Sequence, residues 1–229
     1  MTDNPTIGIV LVHGAFHGPW CWEKVVPLLR ADDVTIAVPD LYRSATPADP
    51  GSVQAEVDRL AQNGPVLVCG HSFGGYPITK LDPATVARLV YLCAFVPDDR
   101  EWFHDLPMFP HFFEMVTVGE DGVMTTRPER ARELFYNDCT NDDAAWAIPN
   151  MCSHTMDGAS AVIPQPAWRE VPSLYVRCGV DNVLTQEYTD AAIAHVGRGV
   201  RIPTGHSPMI SRPDLVAALL MSEVEALRR

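Results

Sequence analysis

An apolar β-type run, Pro65–Cys69, passes directly into Gly70-His71-Ser72-Phe73-Gly74-Gly75, and a helical pattern follows to about Leu81. A strand that enters a helix through so few residues must turn sharply. Such a turn leaves no room for Cβ atoms on either side of Ser72, whose own backbone is strained. Gly70 and Gly74 meet that need. The turn lifts the Ser72 hydroxyl above the strand end and aims the free N–H groups of the helix's first turn at the same point. Gly-x-Ser-x-Gly in this strand–turn–helix setting is a nucleophile elbow.

The rest of the chain alternates in the same way. Thr6–Val12 is a continuous apolar run rich in β-branched residues, which predicts a buried parallel strand. Pro19–Ala31 shows helical spacing at Trp22, Val25, Val26, Leu28 and Leu29, and Val34–Val38 is a second strand. Ser52–Gln62 is helical, with Ser52 as N-cap and Val53, Val57 and Leu60 on one face. A fourth strand covers Leu89–Phe95. The alternation predicts an α/β fold, a mostly parallel sheet with helices on both faces.

From Pro97 to about Pro172 the pattern stops. This stretch holds an aromatic segment (Trp102–Met115), a hairpin at Val116–Thr125 turning at Asp121-Gly122, and helical stretches near Pro128–Asn137 and Asp142–Pro149. A crossover needs only about a dozen residues, so 97–172 is an insertion, expected to form a cap over a core of 1–96 and 173–229. The core resumes with strand Ser173–Cys178, helix Gln186–Val196, strand Val200–Ile202 and a closing helix from Pro213 to about Leu227.

The 229 residues suffice for a large core; one globule of this size buries roughly 72% of its extended surface. With 17 Lys and Arg against 29 Asp and Glu, the net charge is −12. That disfavours nucleic acid and anionic membranes as partners. No apolar run approaches a membrane span, and Ile7–Val12 is too short for a signal-peptide core, so a soluble cytoplasmic protein is expected. The six cysteines show no metal spacing; Cys69, Cys93 and Cys178 fall in apolar runs as small core residues, and Cys139 and Cys152 could pair only in an oxidising compartment.

A serine hydroxyl needs a base to take its proton. The elbow therefore calls for a histidine on a loop after the last strand and an acid before it. His206, in Gly205-His206-Ser207, holds the first position. His13 and His71 lie beside the first strand end and the elbow and are assigned structural roles; His104, His111 and His154 fall in the insertion; His195 ends a helix as a C-terminal cation. Asp181 follows the penultimate strand, with Asp98 and Asp99 as rivals. A carboxylate there would hold the imidazole tautomer. Oxyanion donors are expected from the Phe73 N–H and from the loop after the first strand, where Ala15 is chosen over Phe16. The order Ser72…Asp181…His206 is that of the α/β-hydrolases.

Val12-His13-Gly14-Ala15-Phe16-His17-Gly18-Pro19-Trp20-Cys21-Trp22, the elbow, and His206-Ser207-Pro208-Met209 together resemble the α/β-hydrolase branch of plant methylesterases, hydroxynitrile lyases and small bacterial esterases. The resemblance implies Ser72 as nucleophile, His206 as base, Asp181 as acid and Ala15 and Phe73 as oxyanion donors. The lyases carry Thr where Gly14 stands and Lys where Ser207 stands, so this chain looks like the ester-hydrolysing kind. The expected substrate is a small ester with a hydrophobic or aromatic group, in a cleft to which Gly14, His17, Trp102, Phe109, Phe113 and Trp146 contribute. Alternatives on the same site are lactone opening, acyl transfer, lyase chemistry, or a small-ligand receptor with residual hydrolysis. No metal or organic cofactor is called for, and a homodimer is left open.

Overall fold

Strand β1 (Ile7–Val12) is buried along its whole length, as an apolar run must be when both faces of its sheet are covered. The computed structural model describes residues 6–43, 49–99, 116–155, 159 and 162–229. After β1 the expected helix over 19–31 does not form. Two short 3-10 turns, Pro19–Trp22 and Val26–Leu29, take its place. Pro27 is the reason: it has no N–H for the Glu23 carbonyl, and its ring would collide with that oxygen in an α-helix. Trp22, Val25 and Leu29 still reach the core.

β2 (Val34–Ala37) leads to helix α1 (Gly51–Ala61), which packs on β1. Ser52 does not cap this helix. Asp49 Oδ1 instead accepts the Gly51 N–H at 2.7 Å, and the Ser52 hydroxyl is buried inside the first turn. Next come β3 (Val66–His71), the elbow, the short helix α2 (Gly75–Thr79) and β4 (Arg88–Leu92).

Between β4 and the next sheet strand, the hairpin β5 (Val116–Val118) and β6 (Met124–Thr126) turns through Gly122 at φ 76°, where glycine is favoured. Helices α3 (Pro128–Phe135) and α4 (Asn141–Ala147) follow. The sheet resumes with β7 (Ser173–Cys178), α5 (Gln186–Val196) and β8 (Gly199–Ile202), and the described chain closes with α6 (Pro208–Ser211) and α7 (Pro213–Leu227). Among the described residues no helix is long and apolar enough to cross a membrane, and the six cysteines are free thiols.

The sheet order is β2-β1-β3-β4-β7-β8, and every neighbouring pair is parallel. The chain moves outward from β1 to β2, then returns past β1 to β3 and continues in the other direction. Right-handed crossovers in opposite directions put helices on opposite faces. They also open a crevice beyond the C-terminal ends of β1 and β3, where open α/β sheets bind ligands. The loop 13–18 follows β1 and the elbow follows β3, so both meet at that switch point.

Candidate active site

Ser72 leaves β3 at φ 51°, the left-handed region that side chains disfavour. The glycines around it are required by contact. A Cβ on Gly70 would lie 2.7 Å from the Gly74 carbonyl oxygen. One on Gly74 would lie 2.8 Å from the carbonyl oxygens of Val12 and His13, and one on Gly75 would lie 1.8 Å from that of Phe95. The turn therefore sits against β1 and the end of the 93–96 segment, with Phe95 N–H donating to the Ser72 carbonyl at 3.0 Å.

The loops after β7 and β8 bring two more groups to the serine. Ser72 Oγ lies 2.9 Å from His206 Nε2, across 134 residues of sequence. His206 Nδ1 faces both Asp181 oxygens, at 3.0 and 2.9 Å. His206 is fully buried and the Asp181 side chain is 3% exposed, so the contact lies in a low dielectric. A carboxylate accepts only, so Nδ1 carries the proton and Nε2 presents a lone pair to the serine hydroxyl. Asp181 Oδ1 also accepts the N–H groups of Val183 and Leu184, which fixes the carboxylate in a tight turn. Asp98 and Asp99 face Arg169 instead, and Asp98 also meets His195.

Ala15 and Phe16 separate cleanly. The Phe16 N–H donates to the Tyr42 hydroxyl at 2.9 Å. Among the described residues the N–H groups of Ala15 and Phe73 have no acceptor. Gly14 abuts the serine, since a Cβ there would lie 2.8 Å from Ser72 Cβ. His17 is fully buried, with both nitrogens engaged by Ala15 and Tyr136. Trp146 packs edge-on against Trp20, under the Lys24 ammonium. Trp102, Phe109, Phe113, His104 and His111 lie outside the described residues.

Sequence reasoning gave His13, His17 and His71 no defined partners; the structure gives each a main-chain carbonyl. His13 Nδ1–H donates to the Gly14 oxygen at 2.9 Å, while its Nε2 accepts the Leu41 N–H. His17 Nδ1–H donates to the Ala15 oxygen at 2.8 Å. His71 Nε2–H donates to the His206 oxygen at 2.8 Å, joined there by the Cys93 thiol at 3.3 Å. Burial holds the His71 pKa well below its ordinary value and lowers that of His17 to about 3, so both rings stay neutral. Burial likewise keeps the Cys93 thiol protonated. His71, Cys93 and His206 lie close enough to share an ion, as do Cys93, Cys178 and Asp181. Of these groups, the His206 ring nitrogens, the Asp181 carboxylate, His71 Nε2 and the Cys93 thiol are engaged as just described, whereas His71 Nδ1 is buried without a partner among the described residues. The signal for these clamps in sequence was only the density of histidines beside the two strand ends.

A serine on a strained elbow, a histidine 2.9 Å from its hydroxyl and a buried carboxylate behind that histidine thus meet at the switch point of a parallel α/β sheet. The chain belongs to the alpha/beta hydrolase family, which it matches over residues 9–219. It is similar to the alpha/beta hydrolase nvfD of Aspergillus novofumigatus, at 28% identity over 93% of this chain and 94% of that one. It is also similar to methylesterase 2 of Arabidopsis thaliana, at 26% identity over 93% and 94%. A solved structure of the pyrethroid hydrolase PytH superposes with a TM-score of 0.80 at 25% identity, covering 96% of this chain and 98% of that one.

Proposed function

We propose that the protein is a serine carboxylic ester hydrolase that acts through an acyl-enzyme on a small ester bearing a hydrophobic or aromatic group. The observation that carries this reading is the 2.9 Å contact between Ser72 Oγ and His206 Nε2 on an elbow beside two N–H groups that have no acceptor among the described residues. Ser72 gives its proton to His206 Nε2 as Oγ attacks the carbonyl carbon. The oxyanion forms against the Ala15 and Phe73 N–H groups. Asp181 stabilises the imidazolium, which returns the proton to the departing alkoxide. A water that gives its proton to Nε2 then attacks the acyl carbon, and collapse frees the acid and restores Ser72.

Aromatic surroundings support an apolar substrate: the Phe135 ring stands 6.0 Å from the His206 ring, and Phe73 packs with Tyr76 and His154. The similarity to methylesterase 2 supports the class. Cyanohydrin cleavage is disfavoured, because Gly14 offers no hydroxyl beside Ser72 and Ser207 offers no cation. The test is a panel of aliphatic and aromatic esters with wild type and Ser72→Ala side by side. Hydrolysis that falls at least about a thousandfold in the variant is expected. Hydrolysis of none of the panel, or turnover indifferent to Ser72, contradicts the reading.

A further inference from the structure

The loop 14–17 must take an unfavourable shape to present the Ala15 N–H. Phe16 sits at φ 63°, a region that a bulky aromatic residue rarely enters. Such a conformation persists only where its surroundings over-determine it, and here they grip a single peptide unit from both sides. On one side the Ala15 carbonyl accepts His17 Nδ1–H at 2.8 Å, and the Tyr136 hydroxyl lies 2.9 Å from His17 Nε2. On the other side the Phe16 N–H donates to the Tyr42 hydroxyl at 2.9 Å, and Tyr42 lies 3.1 Å from His154 Nδ1. The Phe16 carbonyl in turn accepts the Cys152 N–H at 3.0 Å. Tyr136, Cys152 and His154 all come from the segment between β4 and β7.

We propose that Tyr136 is a positioning residue for the oxyanion hole, acting through His17 on the Ala15–Phe16 peptide. The proposal rests on the esterase reading, in which the Ala15 N–H holds the oxyanion. A carbonyl cannot donate, so His17 must carry its proton on Nδ1 to hold the Ala15 oxygen. The Tyr136 hydroxyl makes that tautomer the stable one by giving its own proton to Nε2. Without it, Nε2 is a buried lone pair with no donor, and moving the proton there would set the Nδ1 lone pair against the Ala15 oxygen. The carbonyl would lose its donor, and the loop would drift from the shape that aims the neighbouring N–H at the oxygen of the carbonyl under attack. Substrate binding in the ground state needs no such aim, so the loss should fall on kcat.

Tyr136→Phe keeps the ring that packs beside Phe135 and His17 and removes one oxygen. The active sites of wild type and variant are titrated with an aryl phosphonate, and kcat per titrated site, KM and inhibition by a trifluoromethyl ketone are compared. The account expects kcat per site to fall at least tenfold with KM within threefold, and ketone affinity to fall in step with kcat/KM. A variant whose kcat per site stays within that tenfold, or one that changes only KM or melting temperature, overturns the proposal while leaving the esterase reading intact. Wild type that takes no phosphonate on Ser72 overturns the reading and the proposal together. A measurement on unaltered protein stands beside the variant: long-range 15N–1H spectra should show His17 protonated on Nδ1 and bare on Nε2, and the opposite tautomer overturns the proposal.

Discussion

Replacing Asp181 by asparagine separates the electrostatic role of that residue from its structural one. Asp181 Oδ1 accepts the Val183 and Leu184 N–H groups at 2.7 and 3.1 Å, while Oδ2 lies 2.9 Å from His206 Nδ1. In Asp181→Asn the amide oxygen keeps the two backbone bonds, which leaves the NH2 group facing Nδ1. A donor there requires the Nδ1 lone pair, so the imidazole proton moves to Nε2. His206 then points a proton at Ser72 Oγ and cannot take one from it. Loss of the correct tautomer in such a relay costs about 10⁴ in kcat, or about 5.5 kcal/mol on the barrier. Stability should change by no more than about 1 kcal/mol, since the turn keeps its bonds. The assay is kcat on the best ester of the panel, with urea unfolding run on the same samples. A folded variant that retains kcat within tenfold of wild type would refute the tautomer argument.

Two further predictions concern the fold that holds the site. Gly75→Ala would put a Cβ 1.8 Å from the Phe95 carbonyl oxygen, a clash that no side-chain rotation relieves; a loss of about 3 kcal/mol or more in urea unfolding is expected, and wild-type stability would contradict the close approach. The neutral histidines set an acid limit: burial lowers His17 and His154 to about 3 and holds His71 well below its ordinary value. Between pH 6.5 and about 3 the unfolded chain binds protons on these rings that the folded chain does not, so stability falls with pH, by up to about 1.4 kcal/mol per unit for each ring, and is indifferent to them above that window. A urea midpoint constant from pH 7 to 4.5 would show that the rings protonate in place.

Strands 7–12 and 173–178 and helices 186–196 and 213–227 were legible because continuous apolar runs and regular spacing leave few alternatives once flanking turns are marked. The helix expected over 19–31 had the right apolar spacing, yet Pro27 overrode it by removing a backbone donor, and the apolar side chains were buried from 3-10 turns instead. The N-cap at Ser52 failed for a similar local reason, since Asp49 reached the exposed N–H first. Ser72, Asp181 and His206 could be placed near one another because each follows a strand of one parallel sheet and the strands end on the same side. What the sequence does not carry is direction. Nothing in Gly14-Ala15-Phe16-His17 announces that the phenylalanine takes a positive φ, or that the histidine beyond it meets Tyr136, 119 residues away. Hydrogen bonds of that span are decided by packing across the segment between β4 and β7, which no local pattern encodes.

The most direct measurement is intact-mass analysis after an aryl phosphonate is added to protein with confirmed ester turnover. One adduct per chain, mapped to Ser72, lost in Ser72→Ala and formed in step with the disappearance of activity, is the result expected if the 2.9 Å contact with His206 activates this oxygen. Active protein that stays unmodified at Ser72, or an adduct that forms equally well on Ser72→Ala, would contradict the account at its centre.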